Sequence, residues 1–533
     1  MQGARRRIAI WRVLACLLIL ASCIWLLAAC SRDTGEGKIF SYPLDAVPQR
    51  LDPAVAHAAD EHLIINNVFE GLVRQDTAGE IIPGVAYSWT ISDGVTYTFH
   101  LRDDSHWRPL EAQDDDFDTQ VTAYDFEFGI TRALLPVTNA PNAAALFAIK
   151  NARTVHEGSM RPEQLGVTAI DRFTLEITLE KPSAGFLYAL TQSVAMPTNQ
   201  AFFDATRGRY GLSAAHLLCN GPFYLNRWEG NHLRLRKNHD YSGHAPVAPA
   251  TVNLFVQPNA AARLSTLGAE GGYDAAIVPA AYLWSLPEGA QVTRLYNATL
   301  AFIFRSDRAP LNDASLRTAL CAALNTGELG FESPPGLLPD SMRVGGERLR
   351  SLVGSPESVA HDIARAQHLL GGAGTNRVSL TLICAPEHEL LSRRALQQWQ
   401  LAFGMDLAVS IEVFDDPEEL ARQLERGNFD IAVTSLQASS SFALQALEDW
   451  TQPGPGNPMR YESAQLRSIL QAAGAEDPLE AAKACRDAEE HLLQNGVVYP
   501  LAPQASLLAV APGVEGFAIS PAGDRVFFGG MRK

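Results

Sequence analysis

Seven cysteines occur in 533 residues and none is spaced as C-x-x-C, which excludes thioredoxin-type and zinc-ribbon chemistry. The chain also lacks G-x-S-x-G, H-E-x-x-H and a Walker loop, and its thirteen histidines are scattered, so no hydrolase, metalloprotease or NTPase framework is expected and no cofactor. Basic residues are in deficit. The 43 Lys and Arg against 59 Asp and Glu give a formal charge of −16, which repels a phosphate backbone and speaks against nucleic-acid binding. Internal repeats and low-complexity tracts are missing; Gly371-Gly372-Ala373-Gly374 and Pro453-Gly454-Pro455-Gly456 are local loops. What is there is an ordinary globular composition, 47% hydrophobic and 19% charged. At about 150 residues per domain the length predicts two or three lobes.

The N-terminus carries a targeting pattern. Arg5, Arg6, Arg7 and Arg12 precede an uncharged stretch from Val13 to Ala29 that ends in Leu27-Ala28-Ala29-Cys30. A basic start, a short apolar stretch and small residues read as a secretory signal. A cysteine directly after it resembles the lipobox of bacterial lipoproteins, which implies that residues 1–29 are removed and Cys30 is lipidated. The alternative is an uncleaved anchor, since 17 apolar residues lie at the lower edge of what spans a bilayer. Either way the bulk is extracytoplasmic, in the periplasm or at the cell surface, and loss of the four arginines leaves a charge of −20. Cys219, Cys321, Cys384 and Cys485 remain; an oxidising compartment permits disulfides, and buried free thiols are an equal alternative.

Glu61 to Val73 has a helical period through Leu63, Ile64, Val68, Phe69 and Leu72. The period then becomes two. Ser88 to Leu101 alternates around Asp93-Gly94, a strong hairpin signal; Val167 to Leu179 repeats the pattern around Asp171-Arg172, and Pro222 to Lys237 around Glu229-Gly230-Asn231. The first half thus reads as antiparallel. Later, strands at Val378 to Cys384, Ala408 to Val413 and Phe429 to Thr434 alternate with helices at Glu389 to Phe403 and Pro417 to Arg426, a βαβαβ run that implies an α/β lobe.

Leu51-Asp52-Pro53, Phe69-Glu70-Gly71-Leu72, Pro83-Gly84-Val85-Ala86, Ala123-Tyr124-Asp125-Phe126, Asn220-Gly221-Pro222-Phe223, Pro310-Leu311-Asn312-Asp313 and Phe429-Asp430-Ile431-Ala432 follow one another in this order. Together they resemble the oligopeptide/dipeptide-binding family of ABC-transporter solute-binding proteins. The resemblance implies an α/β, two-lobed periplasmic-binding-protein-like fold (class II, type C) with an extra subdomain in the first lobe. It places the first lobe at 40–73, 178–298 and 499–533, the inserted subdomain at 74–177 and the second lobe at 299–498. It further implies a monomer that closes on a short peptide and passes it to an ABC permease, without catalysis. Hinge closure suits a tethered protein of two unlike lobes, because the closed state gains ligand contacts that the open one lacks.

By the same resemblance the ligand contacts are Glu61, His62, Leu63, Asn220, Gly221, Phe302, Phe304, Ser435, Leu436, Gln437 and Ser439. Each has a structural alternative: Glu61 as a first-turn acid on the helix dipole, Asn220 and Gly221 as a loop that starts a strand, Phe302 and Phe304 as core. One departure stands out. Peptide-binding members continue after the Phe429 motif with Gly-Trp and an aspartate that pairs with the peptide α-amine; here Leu436 and Ser439 hold those places. A buried ammonium without a carboxylate costs too much desolvation energy. Either another acid compensates or the ligand is a modified peptide, a sugar or a chelated metal; a surface lipoprotein that no longer serves transport is a third reading. The run Asp114 to Asp125 fits calcium-loop spacing superficially, but Thr119 stands where glycine is needed, and no metal site is assigned.

Overall fold

The computed structural model describes residues 38–533 apart from 110–116, 184, 245–246, 333–335, 373–376, 439–441, 452–456, 474–476, 521–522 and 524. Cys30, Ser439 and Asp114 to Asp116 lie outside the described residues.

Local chemistry sets the hairpins. Asp93 and Gly94 both take positive φ, 55° and 69°, the twist that lets Ala86–Ser92 and Thr96–Leu101 fold back on each other. With Thr174–Thr178 and Val167–Asp171 they form a four-stranded antiparallel sheet. A second four-stranded sheet joins Ile39–Leu44, Thr251–Val256, His232–Lys237 and Phe223–Glu229. Here the antiparallel expectation needs correction, because Ile39–Leu44 runs parallel to Thr251–Val256. That pairing joins segments more than 200 residues apart, which no local pattern encodes.

The third sheet has six strands in the order Ala275–Pro279, Val498–Val510, Gln291–Phe304, Ile431–Gln437, Val378–Cys384, Leu407–Val413. Its last three strands are the parallel βαβαβ unit, with helices Glu389–Phe403 and Pro417–Arg426 between them. Asp313 caps Ala314–Ala322 through the Ser315 N–H at 2.8 Å, and Gly404, at φ 55°, ends Glu389–Phe403.

The two central strands decide the architecture. Gln291–Phe304 and Val498–Val510 are 14 and 13 residues long, and each runs from the core of one lobe into the two apolar layers of the other. Leu295 and Leu507 to Val510 pack into the core of the first lobe, which also holds the sheets above; Ala301, Ile303 and Val498 pack into one side of the second lobe, and Leu300, Phe302, Phe304 and Tyr499 into the other. The odd-even split from Leu300 to Phe304 is the strand period of two, placing separate apolar layers on the faces of one sheet. Phe302 meets Trp399 edge-on at 5.8 Å, and burying such a side chain contributes about 1.5–3 kcal/mol. The chain therefore forms two lobes joined by two crossing strands.

Candidate ligand-binding site

Where those strands pass between the lobes, their ladder breaks. Tyr296 faces Ala505 and Ala298 faces Gln504, so Asn297 is an extra residue, and a second irregularity follows at Leu300 and Ala301. Such bulges re-aim side chains. Asn297, nearly buried, lines a cavity of about 600 Å³ between the lobes. The first lobe contributes the start of helix Ala59–Val68, the end of Ala275–Pro279 and Arg525; the second contributes Gln437, Ala438 and Gln445.

The first-lobe wall carries the charge. Asp60 accepts from the Asp45 and Ala46 main-chain N–H groups at 2.7 and 2.8 Å, and burial pushes its carboxyl up to about 6. Arg263 donates to Asp45, to the Ile277 carbonyl at 3.1 Å and to the Leu44 carbonyl at 3.3 Å. Arg525 holds the Thr191 carbonyl and hydroxyl at 2.8 and 2.9 Å. Among the described lining residues the acids are Asp45 and Asp60 and the arginines Arg263 and Arg525, so the charges of the wall balance. His62 joins it, with Nδ1 2.9 Å from the Ser193 hydroxyl.

Of the expected contact residues, His62, Leu63 and Gln437 border the cavity. The other described ones sit elsewhere. Glu61 is 1% exposed and its carboxylate takes four main-chain N–H groups, from Gln49, Arg50, His57 and Ala58, at 2.9 to 3.2 Å. Burial alone would raise its pKa, but those four bonds outweigh it and hold the carboxyl below its usual value. It pins the incoming loop to the helix and has no capacity left for a ligand. Phe302 and Phe304 are fully buried core, and Leu436 packs in the opposite layer. Ser435 is exposed and pairs with Leu300 in the ladder, away from the cavity wall.

Asn220 and Gly221 are a brace. The Asn220 side chain exchanges hydrogen bonds with the Glu70 main chain at 3.0 and 2.9 Å, and the Gly221 N–H reaches the Val68 carbonyl at 2.9 Å. A Cβ on Gly221 would stand 2.6 Å from the Val68 carbonyl carbon, so only glycine permits this approach. Glu70 itself takes Arg102 at 2.8 Å and the Tyr241 hydroxyl at 2.5 Å. Asp52 and Arg132 form a buried bidentate pair at 2.6 and 2.9 Å. Asp125 caps its own helix on Thr122, burial raising its carboxyl to about 7. Several of the recurring motifs are thus fastenings of the first lobe.

Asp60, Asn297, Arg263 and Arg525 are among the cavity residues that sequence reasoning passed over. Asp60 alone left a signal, an acid next to Glu61 in the first turn of a periodic helix.

The profile described as "Bacterial extracellular solute-binding proteins, family 5 Middle" matches residues 80–458. The chain belongs to the family 5 bacterial extracellular solute-binding proteins. It is 26% identical over 506 residues to the periplasmic murein peptide-binding protein MppA of Escherichia coli, spanning 89% of each chain. It is equally, 26%, identical over 509 residues to the probable deoxycholate-binding periplasmic protein YgiS of the same organism, spanning 92% of each. The MppA structure overlays with a TM-score of 0.73 at 25% identity, covering 93% of this chain and 98% of that one. Listeria monocytogenes OppA bound to peptide overlays with a TM-score of 0.74 at 21% identity, covering 93% and 99%. This family 5 chain therefore has the α/β, two-lobed periplasmic-binding-protein-like fold with an extra subdomain in its first lobe. Among the described residues no helix is long and apolar enough to cross a membrane.

Proposed function

We propose that this family 5 protein captures short peptides by hinge closure and delivers them to an ABC permease, acting as a monomer, held by lipid on Cys30, and leaving its ligand unaltered. The observation that carries this reading is the cavity at the strand crossing, whose charged groups balance. Its volume, about 600 Å³, lies inside the ~300–1,000 Å³ usual for ligand sites. The carboxylates and guanidiniums on its first-lobe wall suit a zwitterion, and the amides of Gln437, Gln445 and Asn297 suit peptide main chain. Names of relatives that specify peptides add support. With Ser439 where an amine-binding aspartate is expected, the α-ammonium has Asp60 and Asp45 on the opposite lobe to meet it. A surface lipoprotein without transport would have no use for such a cavity.

A second reading keeps the fold and changes the ligand to a modified peptide or a non-peptide solute. It is favoured by Ser439 and by a relative, as similar as the first, that is named for deoxycholate. Native mass spectrometry of the purified protein, followed by thermal-shift measurements with peptide pools and with deoxycholate, separates the two. Stabilisation by peptides supports the first reading, and stabilisation by deoxycholate alone sinks it.

A further inference from the structure

The first-lobe sheet of Ile39–Leu44, Thr251–Val256, His232–Lys237 and Phe223–Glu229 turns one face to the core and the other to solvent. Strand alternation decides which side chains go where. In His232–Lys237, Leu233 and Leu235 are fully buried, so His232, Arg234 and Arg236 stand on the open face. The register sets Arg234 directly opposite Arg227 of the next strand, and Arg236 in one row with Ile39 at the sheet's far edge.

The charge of this sheet runs against that of the protein. Its four strands carry Arg227, Arg234, Arg236 and Lys237 and a single acid, Glu229, in a chain of formal charge −16. Glu229 pairs with Arg227. Arg234, by contrast, is held by a neutral group: Oδ1 of Asn253 takes its Nε at 3.3 Å and also lies 3.1 Å from His232 Nε2. That arrangement fixes the guanidinium on the face without cancelling its charge. At the margin Arg108 lies over the Tyr224 ring at 5.3 Å and is neutralised by Asp240 at 2.6 Å.

The same face adjoins the point from which the chain leads back to Cys30. Ile39, 56% exposed, opens the edge strand, and Lys38 is eight residues from Cys30. Eight extended residues reach at most about 28 Å. Arg236 is two strands from Ile39, about 10 Å at the usual strand spacing.

We infer that the open face of this sheet is a membrane-docking surface, which rests on the anionic lipid headgroups of the leaflet that holds Cys30. The inference depends on the lipid anchor proposed above and adds an orientation to it. An anionic surface repels an acidic body and attracts a cationic face, so the charge asymmetry selects this side once the tether brings the protein within a Debye length. A lipid alone would leave the protein free to turn. Docking through the first lobe fixes that lobe and leaves the second free to move on the crossing strands.

The test uses the full-length protein extracted from host membranes, with mass spectrometry of the N-terminal peptide reporting whether Cys30 is acylated. Thr251, half-exposed between Ile39 and Arg236, is replaced as Thr251→Cys and labelled with a fluorophore; Cys219, Cys321, Cys384 and Cys485 are buried. A second labelled variant, Leu401→Cys, marks an exposed site on the second lobe. Both are placed on vesicles of phosphatidylcholine alone and of phosphatidylcholine with one-third phosphatidylglycerol, each doped with nitroxide-labelled lipid as quencher. Quenching at Thr251→Cys is expected to be roughly threefold stronger on the phosphatidylglycerol vesicles and to fall to the neutral level at high salt. Leu401→Cys should show no such difference. Adding Arg227→Glu, Arg234→Glu and Arg236→Glu together should abolish the difference. Arg236→Gln alone, at an exposed position that does not threaten the fold, should remove about a third of it. For acylated protein, equal quenching on the two vesicle types, or a difference that survives high salt, overturns the docking inference and leaves the anchor standing. An unacylated Cys30 overturns the anchor reading, and this inference falls with it.

Discussion

Arg343 donates from Nη1 to the Glu80 carboxylate at 3.2 Å, tying a hairpin of the second lobe to a turn of the first across 263 residues of sequence. Beside it the Tyr188 and Phe442 rings meet at a tilt with centroids 4.2 Å apart, again one from each lobe. These contacts exist only while the lobes stand together, so they bias the open–closed equilibrium that a ligand also biases. The pair is half exposed on the Glu80 side and is worth roughly 0.2–1 kcal/mol. Arg343→Ala is expected to weaken ligand affinity about two- to fivefold with little change in unfolding temperature. Calorimetric titration checks it, and rising salt should bring wild type toward the variant. An affinity loss that persists undiminished at high salt would assign Arg343 to the ligand instead.

Asp60 and Glu61 are neighbours with opposite shifts. Asp60 is raised from 3.8 to about 6, chiefly by burial, with Asp45 raising it further and Arg263 and two main-chain N–H groups opposing. Between those values the folded state holds a proton that the unfolded chain has lost, so this group's contribution to stability declines as pH rises through the window. Above pH 7 the ionised carboxylate costs about 3 kcal/mol at most. Asp60→Asn keeps an acceptor for the two N–H groups and removes that cost. The variant is expected to be more stable than wild type at pH 7 and equal to it below pH 4, by urea unfolding across that range. Glu61, lowered by its four main-chain bonds, contributes in the other direction: its stabilisation is present above its ordinary pKa and is lost as pH falls through the lowered value.

Local signals gave away the local structure. Asp93-Gly94 specifies its hairpin by needing positive φ twice, and the alternation of apolar strands with capped helices from Val378 to Thr434 specifies the parallel unit. Of the two crossing strands only Phe302 and Phe304, two residues apart, stood out in the sequence. Pro500 and Pro503, residues that weaken a strand signal, lie within Val498–Val510 opposite Ala301 and Thr299, beside a register irregularity. The cavity was least legible, because Asp60, Arg263, Asn297 and Arg525 come together from four distant segments. Glu61 misled because its partners lie on the loop Gln49 to Ala58, which wraps back over the helix and has no periodic signature.

Asn220 offers a clean separation of a structural from a ligand role. Its side chain is 2% exposed and serves both the N–H and the carbonyl of Glu70. Asn220→Ala strands those groups in a buried place, at a cost of about 2–3 kcal/mol. The urea midpoint should drop accordingly, while the affinity of the folded protein measured by calorimetry stays within twofold of wild type. Unchanged stability with lost affinity would return Asn220 to the ligand site.

The four cysteines of the described chain are free and buried, and burial pushes Cys219, Cys321 and Cys485 up to about 12. Thiolate is the reactive form, so a disulfide-exchange reagent at pH 8 should find almost none in the native protein and all four in denaturant. Their distribution makes the reaction more informative than a count. Cys219 lies in the first-lobe core, Cys321 and Cys384 in one layer of the second lobe and Cys485 in the other. Lobes with separate cores open as separate units unless their interface is large, and here the crossing strands and a few latch contacts are what couple them. Labelling across a urea series, with the modified cysteine located by peptide mapping, should therefore show Cys219 and the other three becoming reactive at different midpoints. Bound ligand should draw those midpoints together, because it contacts both lobes and stabilises only the state in which both are folded. A single shared midpoint in the absence of ligand would mean that the two long strands alone make the lobes one cooperative unit.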